Sequence, residues 1–132
     1  MVDTTAFWKD LAKDLDDPEF LREYVSDSMR VATIDRIVNE LADALSSTGM
    51  TKTALARAIN TEPATIRRLF SATSRNPTLG TLASIAAALG MKVTLTPLAK
   101  DEREMVTEPL LHGSTADPKA LVKHLKSLNK AA

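Results

Sequence analysis

The sequence contains no cysteine, which excludes disulfides, thiolate nucleophiles and cysteine-ligated zinc. It has four glycines and none cluster, so no Gly-rich loop is present to cradle a phosphate. The two histidines, His112 and His124, are far apart in the chain, and neither sits beside carboxylates at metal-ligand spacing. No serine lies in a nucleophile elbow. The paired carboxylates Asp16-Asp17 are accounted for by the start of a helix. Nothing here assembles a catalytic constellation, a metal site or a cofactor site, and a non-enzyme is expected. Aromatic residues are few, and Phe7, Trp8 and Tyr24 read as packing rather than as a ligand site. No apolar run approaches the roughly 18 residues of a membrane span. The most apolar stretch, Leu82 to Met91, is broken by Ser84 and Gly90. Residues 1–14 are too charged for a signal peptide, so a soluble, cytoplasmic protein is expected.

What is present is an uneven charge. Net charge over the whole chain is zero, but residues 1–50 hold 5 Lys/Arg against 11 Asp/Glu. Residues 51–100 hold 7 Lys/Arg (Lys52, Arg57, Arg67, Arg68, Arg75, Lys92 and Lys100) against Glu62 alone. Residues 101–132 hold 5 of each. A basic middle segment nearly free of carboxylates is a candidate for phosphate contact. Clustering on a solvated face is the alternative. At 132 residues the chain is long enough for one domain with extensions and a modest core.

Most of the chain has helical periodicity. From Ala6 to Leu15, one face carries Phe7, Trp8, Leu11 and Leu15. Asp17 can cap a new helix, with Pro18 in its first turn and a stripe of Phe20, Leu21, Tyr24, Val25 and Met29. Thr33 can cap a further helix carrying Ile34, Ile37, Val38, Leu41 and Leu45. The pattern fits either two helices here or one bent rod, ended by Ser46-Ser47-Thr48-Gly49. Thr51 can cap a short helix from Lys52 to about Ile59, and Asn60-Thr61-Glu62-Pro63 is a turn signal. A helix from Pro63 to about Ser71 follows, then a loop at Ser74-Arg75-Asn76-Pro77. Thr78 can cap a helix running through Leu79, Leu82, Ile85, Ala86 and Leu89, with Gly90 at its C-terminal stop. Met91 to Thr96 alternates with period two and predicts a β-strand, stopped by Pro97. Residues 101–116 show no clear periodicity and read as a linker. Asp117-Pro118 opens a last amphipathic helix, with Leu121, Val122, Leu125 and Leu128 on one face and Lys119, Lys123, Lys126 and Lys130 on the other. That helix could dock on the acidic N-terminal half, bind DNA or bind a partner. Its leucines need cover and the N-terminal half has opposite charge, which favours docking.

Residues 52–71 meet the specific demands of two short helices joined by a tight turn, the unit that fits a helix into the DNA major groove. Leu55 and Ile59 face inward at i, i+4. Ala56 is the small residue where the second helix crosses, and Asn60 stands at the turn, where asparagine tolerates a left-handed backbone. Ile66 and Leu69 are the inward pair of the second helix, leaving Ala64, Thr65, Arg67 and Arg68 toward its outer face and N-terminal half.

The run Thr51 to Leu69, T-K-T-A-L-A-R-A-I-N-T-E-P-A-T-I-R-R-L, resembles the helix-turn-helix of the Cro/phage-repressor (XRE) family. Asn76-Pro77-Thr78-Leu79-Gly80-Thr81-Leu82, with Ile85 to Gly90 after it, resembles that family's fourth helix. The strand at 91–95 and the acidic helical extension resemble the HigA-like antitoxin branch. The likeness covers about residues 34–97. Asn60 stands where the family usually has Gly, Glu62 where a Ser or Thr cap is common, and Lys52 where Gln is usual. The resemblance implies that Ala64, Thr65, Arg67 and Arg68 read bases, while Lys52, Thr53, Arg75 and Asn76 hold phosphate. It implies double-stranded DNA as partner and no cofactor.

The expected fold is therefore all-α. It is a helix-turn-helix bundle of the phage-repressor type with an N-terminal helical extension, one short β-strand and a final amphipathic helix. The expected organisation is an acidic extension at 1–32, the DNA-binding domain at 33–97, a linker at 98–116 and the last helix at 117–132. A lone strand cannot leave its ladder unpaired at low cost. Strand 91–96 is accordingly expected to pair with its copy in a homodimer; the alternative is a short segment lying over the helical core. The expected function is a sequence-specific transcriptional repressor. The alternative is an antitoxin that binds a protein toxin and also represses its own operon.

Overall fold

The computed structural model describes residues 4–71 and 76–130. In chain order its helices are α1 (Thr4–Leu15), α2 (Pro18–Thr48), α3 (Lys52–Ala58), α4 (Pro63–Ser71), α5 (Leu79–Ala88), α6 (Lys100–His112) and α7 (Pro118–Lys130). The chain forms two compact units: Thr33–Leu95, and the remainder up to Ala32 and from Thr96 onward.

The helix starts follow from side-chain caps that satisfy free backbone amides. The Glu19 amide donates to Asp17 Oδ1 (3.0 Å), and the Ala54 amide donates to Thr51 Oγ1 (3.0 Å). The Thr81 amide donates to Thr78 Oγ1 (3.1 Å), and the Ala120 amide donates to Asp117 Oδ1 (3.1 Å). Thr33 caps nothing, because α2 is one helix of 31 residues. No proline or glycine interrupts it between Glu19 and Thr48. The apolar stripe merely loses its phase between Met29 and Ile34, where its residues pass from one core to the other.

In the Thr33–Leu95 unit the core consists of Val38, Leu41 and Leu45 from α2, Leu55 and Ala56 from α3, Ile66 and Leu69 from α4, and Leu82, Ile85 and Ala86 from α5, with Leu89 just beyond α5. Leu79, expected on the apolar stripe of α5, is instead 68% exposed. As the first residue of its helix it precedes the turn that the core covers.

The expected strand at 91–96 is a correction: this segment has no strand, and all the regular structure among the described residues is helical. Alternation of polarity creates a half-buried surface but not a ladder, which needs a second strand to accept its hydrogen bonds. No other described segment is a strand. Val93 alone packs against the helical core, while Met91 is 41% and Leu95 is 100% exposed.

The other unit is built around Leu15, Leu21, Val25, Val106, Leu121, Val122 and Leu125. Thus α7 docks its apolar face against residues of α1, the start of α2 and α6. Tyr24 is partly buried in the same unit and stacks on Phe20 (ring centroids 6.3 Å apart); burial pushes its phenol above the ordinary value.

Residues 100–112, read as part of a linker, form α6. Its apolar stripe is short, consisting of Met105, Val106, Pro109 and Leu110, and the proline reads as a breaker in sequence. Pro109 lies only three residues before the end of the helix, so one missing amide donor is tolerated. Gly113 then ends the helix at φ 71°, its amide donating to the Pro109 carbonyl (2.8 Å). Arg22 Nε donates to the carbonyl of Leu110 (3.2 Å), tying the start of α2 to the end of α6. His124 Nε2 lies 2.6 Å from Glu102 Oε2, tying α7 to α6.

Gly113 has two constraints at once. Its φ is positive, and a Cβ there would lie 2.9 Å from Pro18 Cβ and 3.2 Å from Arg22 Cζ. Gly49 has the same φ of +71° but open space around it. Gly49→Ala is therefore expected to cost about 1 kcal/mol for the left-handed backbone alone. Gly113→Ala is expected to cost roughly 1–3 kcal/mol more, through overpacking. Urea unfolding followed by helical circular dichroism measures both, and equal losses would contradict this packing.

Candidate nucleic-acid interface

Helices α3 and α4 are only 7 and 9 residues long. Isolated helices of that length are marginal in water, so each must be held by the other and by the rest of the core. Leu55, Ala56 and Ile66 are all fully buried, and Leu69 nearly so. Ala56 is small where α4 packs against α3, and a larger side chain in that closed space would force the two helices apart.

The turn between them is set by Asn60, the one non-glycine residue with positive φ (55°) among those described. Asn60 donates its amide to the Arg57 carbonyl (3.2 Å), and Thr61 donates its own to the Ala56 carbonyl (2.9 Å). These are the two bonds of a Schellman motif, which closes a helix end and turns the chain sharply. Pro63, at the first position of α4, has a fixed φ that suits the restart.

With Ile66 and Leu69 fixed inward, the 100° step per residue sets the rest of α4. Ala64, Arg67, Arg68 and Ser71 fall on the outer side, and all four are exposed. Thr65 falls near the edge of the buried face and is half-buried, so it is less available than the other expected base-reading positions. Ser71 was not singled out from sequence, although its spacing of 3, 4 and 7 from Arg68, Arg67 and Ala64 places it on the same face. Its hydroxyl donates to the Arg67 carbonyl (2.6 Å). α4 carries two arginines and no carboxylate, and Glu62 just precedes it.

Of the expected phosphate-holding residues, Lys52 and Thr53 are exposed in the first turn of α3. The Lys52 ammonium lies 6.0 Å from the centre of the Phe70 ring, so the start of α3 and the end of α4 are brought together. That contact spans 18 positions of sequence, and no local pattern announces it. Asn76 is exposed, and Arg75 lies outside the described residues. Among the described residues there is no group of three or more His, Asp or Glu side chains that could hold a metal ion. No described helix is long and apolar enough to cross a membrane.

Residues 40–94 match the family model of the Cro/C1-type HTH DNA-binding domain. The match takes in α3, the turn, α4 and α5, and somewhat under half of the chain. No curated protein and no solved structure matches the chain. The chain thus carries a DNA-binding helix-turn-helix of this type.

The turn geometry is directly testable. Asn60→Gly keeps the left-handed backbone and is expected to leave the thermal midpoint unchanged or slightly raised. Asn60→Val puts a β-branched side chain at positive φ and is expected to lose about 2 kcal/mol. Thermal unfolding of the two variants separates these outcomes, and a harmless valine would contradict the turn described.

Proposed function

We propose that the protein is a sequence-specific DNA-binding transcriptional regulator that acts as a repressor, inserting α4 into the major groove. The observation behind this reading is the outer face of α4. Two exposed arginines and a small apolar residue stand on a helix fixed by its packing against α3, in a chain segment with almost no carboxylate. Arg67 and Arg68 suit bidentate bonds to guanine O6 and N7, and the methyl of Ala64 suits a thymine methyl. Thr65 supports them from the edge of that face. Lys52, Thr53 and Asn76, with Arg75, serve the backbone and fix register without specifying sequence.

A single unit of this kind reads few base pairs. Two copies on an inverted repeat, with half-sites about 34 Å apart, double the contact and match a two-fold dimer. An antitoxin that also binds DNA would use the same surface, so the reading of α4 is common to both.

The test is a salt-titrated binding measurement on DNA from the protein's own upstream region, with an unrelated duplex as reference. A bidentate arginine–guanine pair contributes about 1–3 kcal/mol of discrimination. Arg67→Ala/Arg68→Ala is therefore expected to lose at least tenfold in preference for its own DNA. It should also bind with a shallower salt dependence. A double variant with unchanged affinity and preference would remove α4 as the reading element.

A further inference from the structure

We propose that the exposed lysine face of α7 is a second contact for the DNA backbone, engaged while α4 reads the groove. This rests on the DNA-binding reading above and extends it to a face outside the helix-turn-helix.

Leu121, Val122 and Leu125 are buried in the core, which fixes the rotation of α7 about its axis. At 100° per residue, Lys119, Lys123 and Lys126 then fall within about 60° of arc on one side. All three are exposed. Their Cα atoms span about 10 Å at a rise of 1.5 Å per residue. A duplex strand presents a phosphate about every 3.4 Å along its axis, so the row matches roughly three phosphates in length.

The charge of this face is unusually free. No Asp or Glu lies between Pro118 and Lys130. Among the described residues no carboxylate pairs with Lys119, Lys123 or Lys126. Two of the lysines are ordered by aromatic rings instead: Lys126 Nζ lies 4.7 Å from the Phe7 ring centre, and Lys119 Nζ lies 5.7 Å from that of Trp8. A ring face positions an ammonium without cancelling its charge. Asp117, the nearest carboxylate in sequence, is occupied in capping α7.

Three solvated lysines bind a duplex weakly on their own. In the same chain as a DNA-bound helix-turn-helix, however, their contact becomes intramolecular, and a weak contact then contributes at a raised effective concentration. This is what favours DNA over other polyanions as the occupant.

The experiment uses the full chain and compares the slope of log affinity against log salt for wild type and three variants. Each phosphate contact contributes about 0.9 to that slope. Lys119→Gln/Lys123→Gln/Lys126→Gln is expected to flatten it by about 2–3 and to leave the preference for own over unrelated DNA within twofold. Lys123→Gln alone, which disturbs no ring contact, is expected to flatten it by about 1. The triple Lys→Arg variant keeps the charge and is expected to restore the wild-type slope. An unchanged slope in the triple glutamine variant, with normal wild-type binding, overturns the proposal while leaving the α4 reading intact. So does an unchanged slope accompanied by loss of binding to phosphatidylserine vesicles, which would assign the face to a membrane surface. Absence of wild-type DNA binding would remove the underlying reading, and the proposal with it.

Discussion

Everything at the proposed interface depends on the close packing of Ala56 and Leu55 in α3 against Ile66 and Leu69 in α4. Neither helix is long enough to persist alone, and neither supplies a usable surface without the other. The contact closes only because Ala56 has no side chain beyond Cβ and because Asn60 accepts a left-handed backbone four residues later. Once those inward residues are fixed, helix geometry leaves no freedom in where Ala64, Arg67, Arg68 and Ser71 point. The chemistry of the face is thus a consequence of the core.

The second unit is organised differently. Its segments come from both ends of the chain, and it closes through separate ties: Arg22 to the carbonyl of Leu110, His124 to Glu102, and Gly113 against Pro18. None of these residues enters the core of the Thr33–Leu95 unit. Division of the chain into two cores lets the helix-turn-helix keep its own packing while α7 presents a separate, uncompensated cationic face. Both faces carry positive charge in a molecule whose net charge is zero.

Much of this was legible in the sequence because it depends on local rules. Thr51, Thr78 and Asp17 announce helix starts through residue type and position, and each accepts the expected amide. Asn60 announces a turn, and the spacing of Leu55, Ala56, Ile66 and Leu69 announces two faces that meet. The failures share a different cause. A strand at 91–96 needs a partner strand, and alternation of polarity cannot show whether one exists. α6 is disguised by Pro109, which reads as a breaker unless the end of the helix is already known to follow within a turn. Continuity of α2 is hidden by the phase change between Met29 and Ile34, since each half answers to a different core. Contacts such as Lys52 with Phe70 or His124 with Glu102 join residues with no local relation, so only the folded chain reveals them.

The most direct measurement is amide chemical-shift mapping of the labelled full chain as a DNA duplex is added at low salt. The account predicts that the largest perturbations fall at the start of α3 and along the outer face of α4, at Lys52, Thr53, Ala64, Arg67, Arg68 and Ser71. The buried amides of Leu55 and Ile66 should move less. Perturbations that spare α4 and concentrate elsewhere would contradict the claim that this helix is the DNA-reading element.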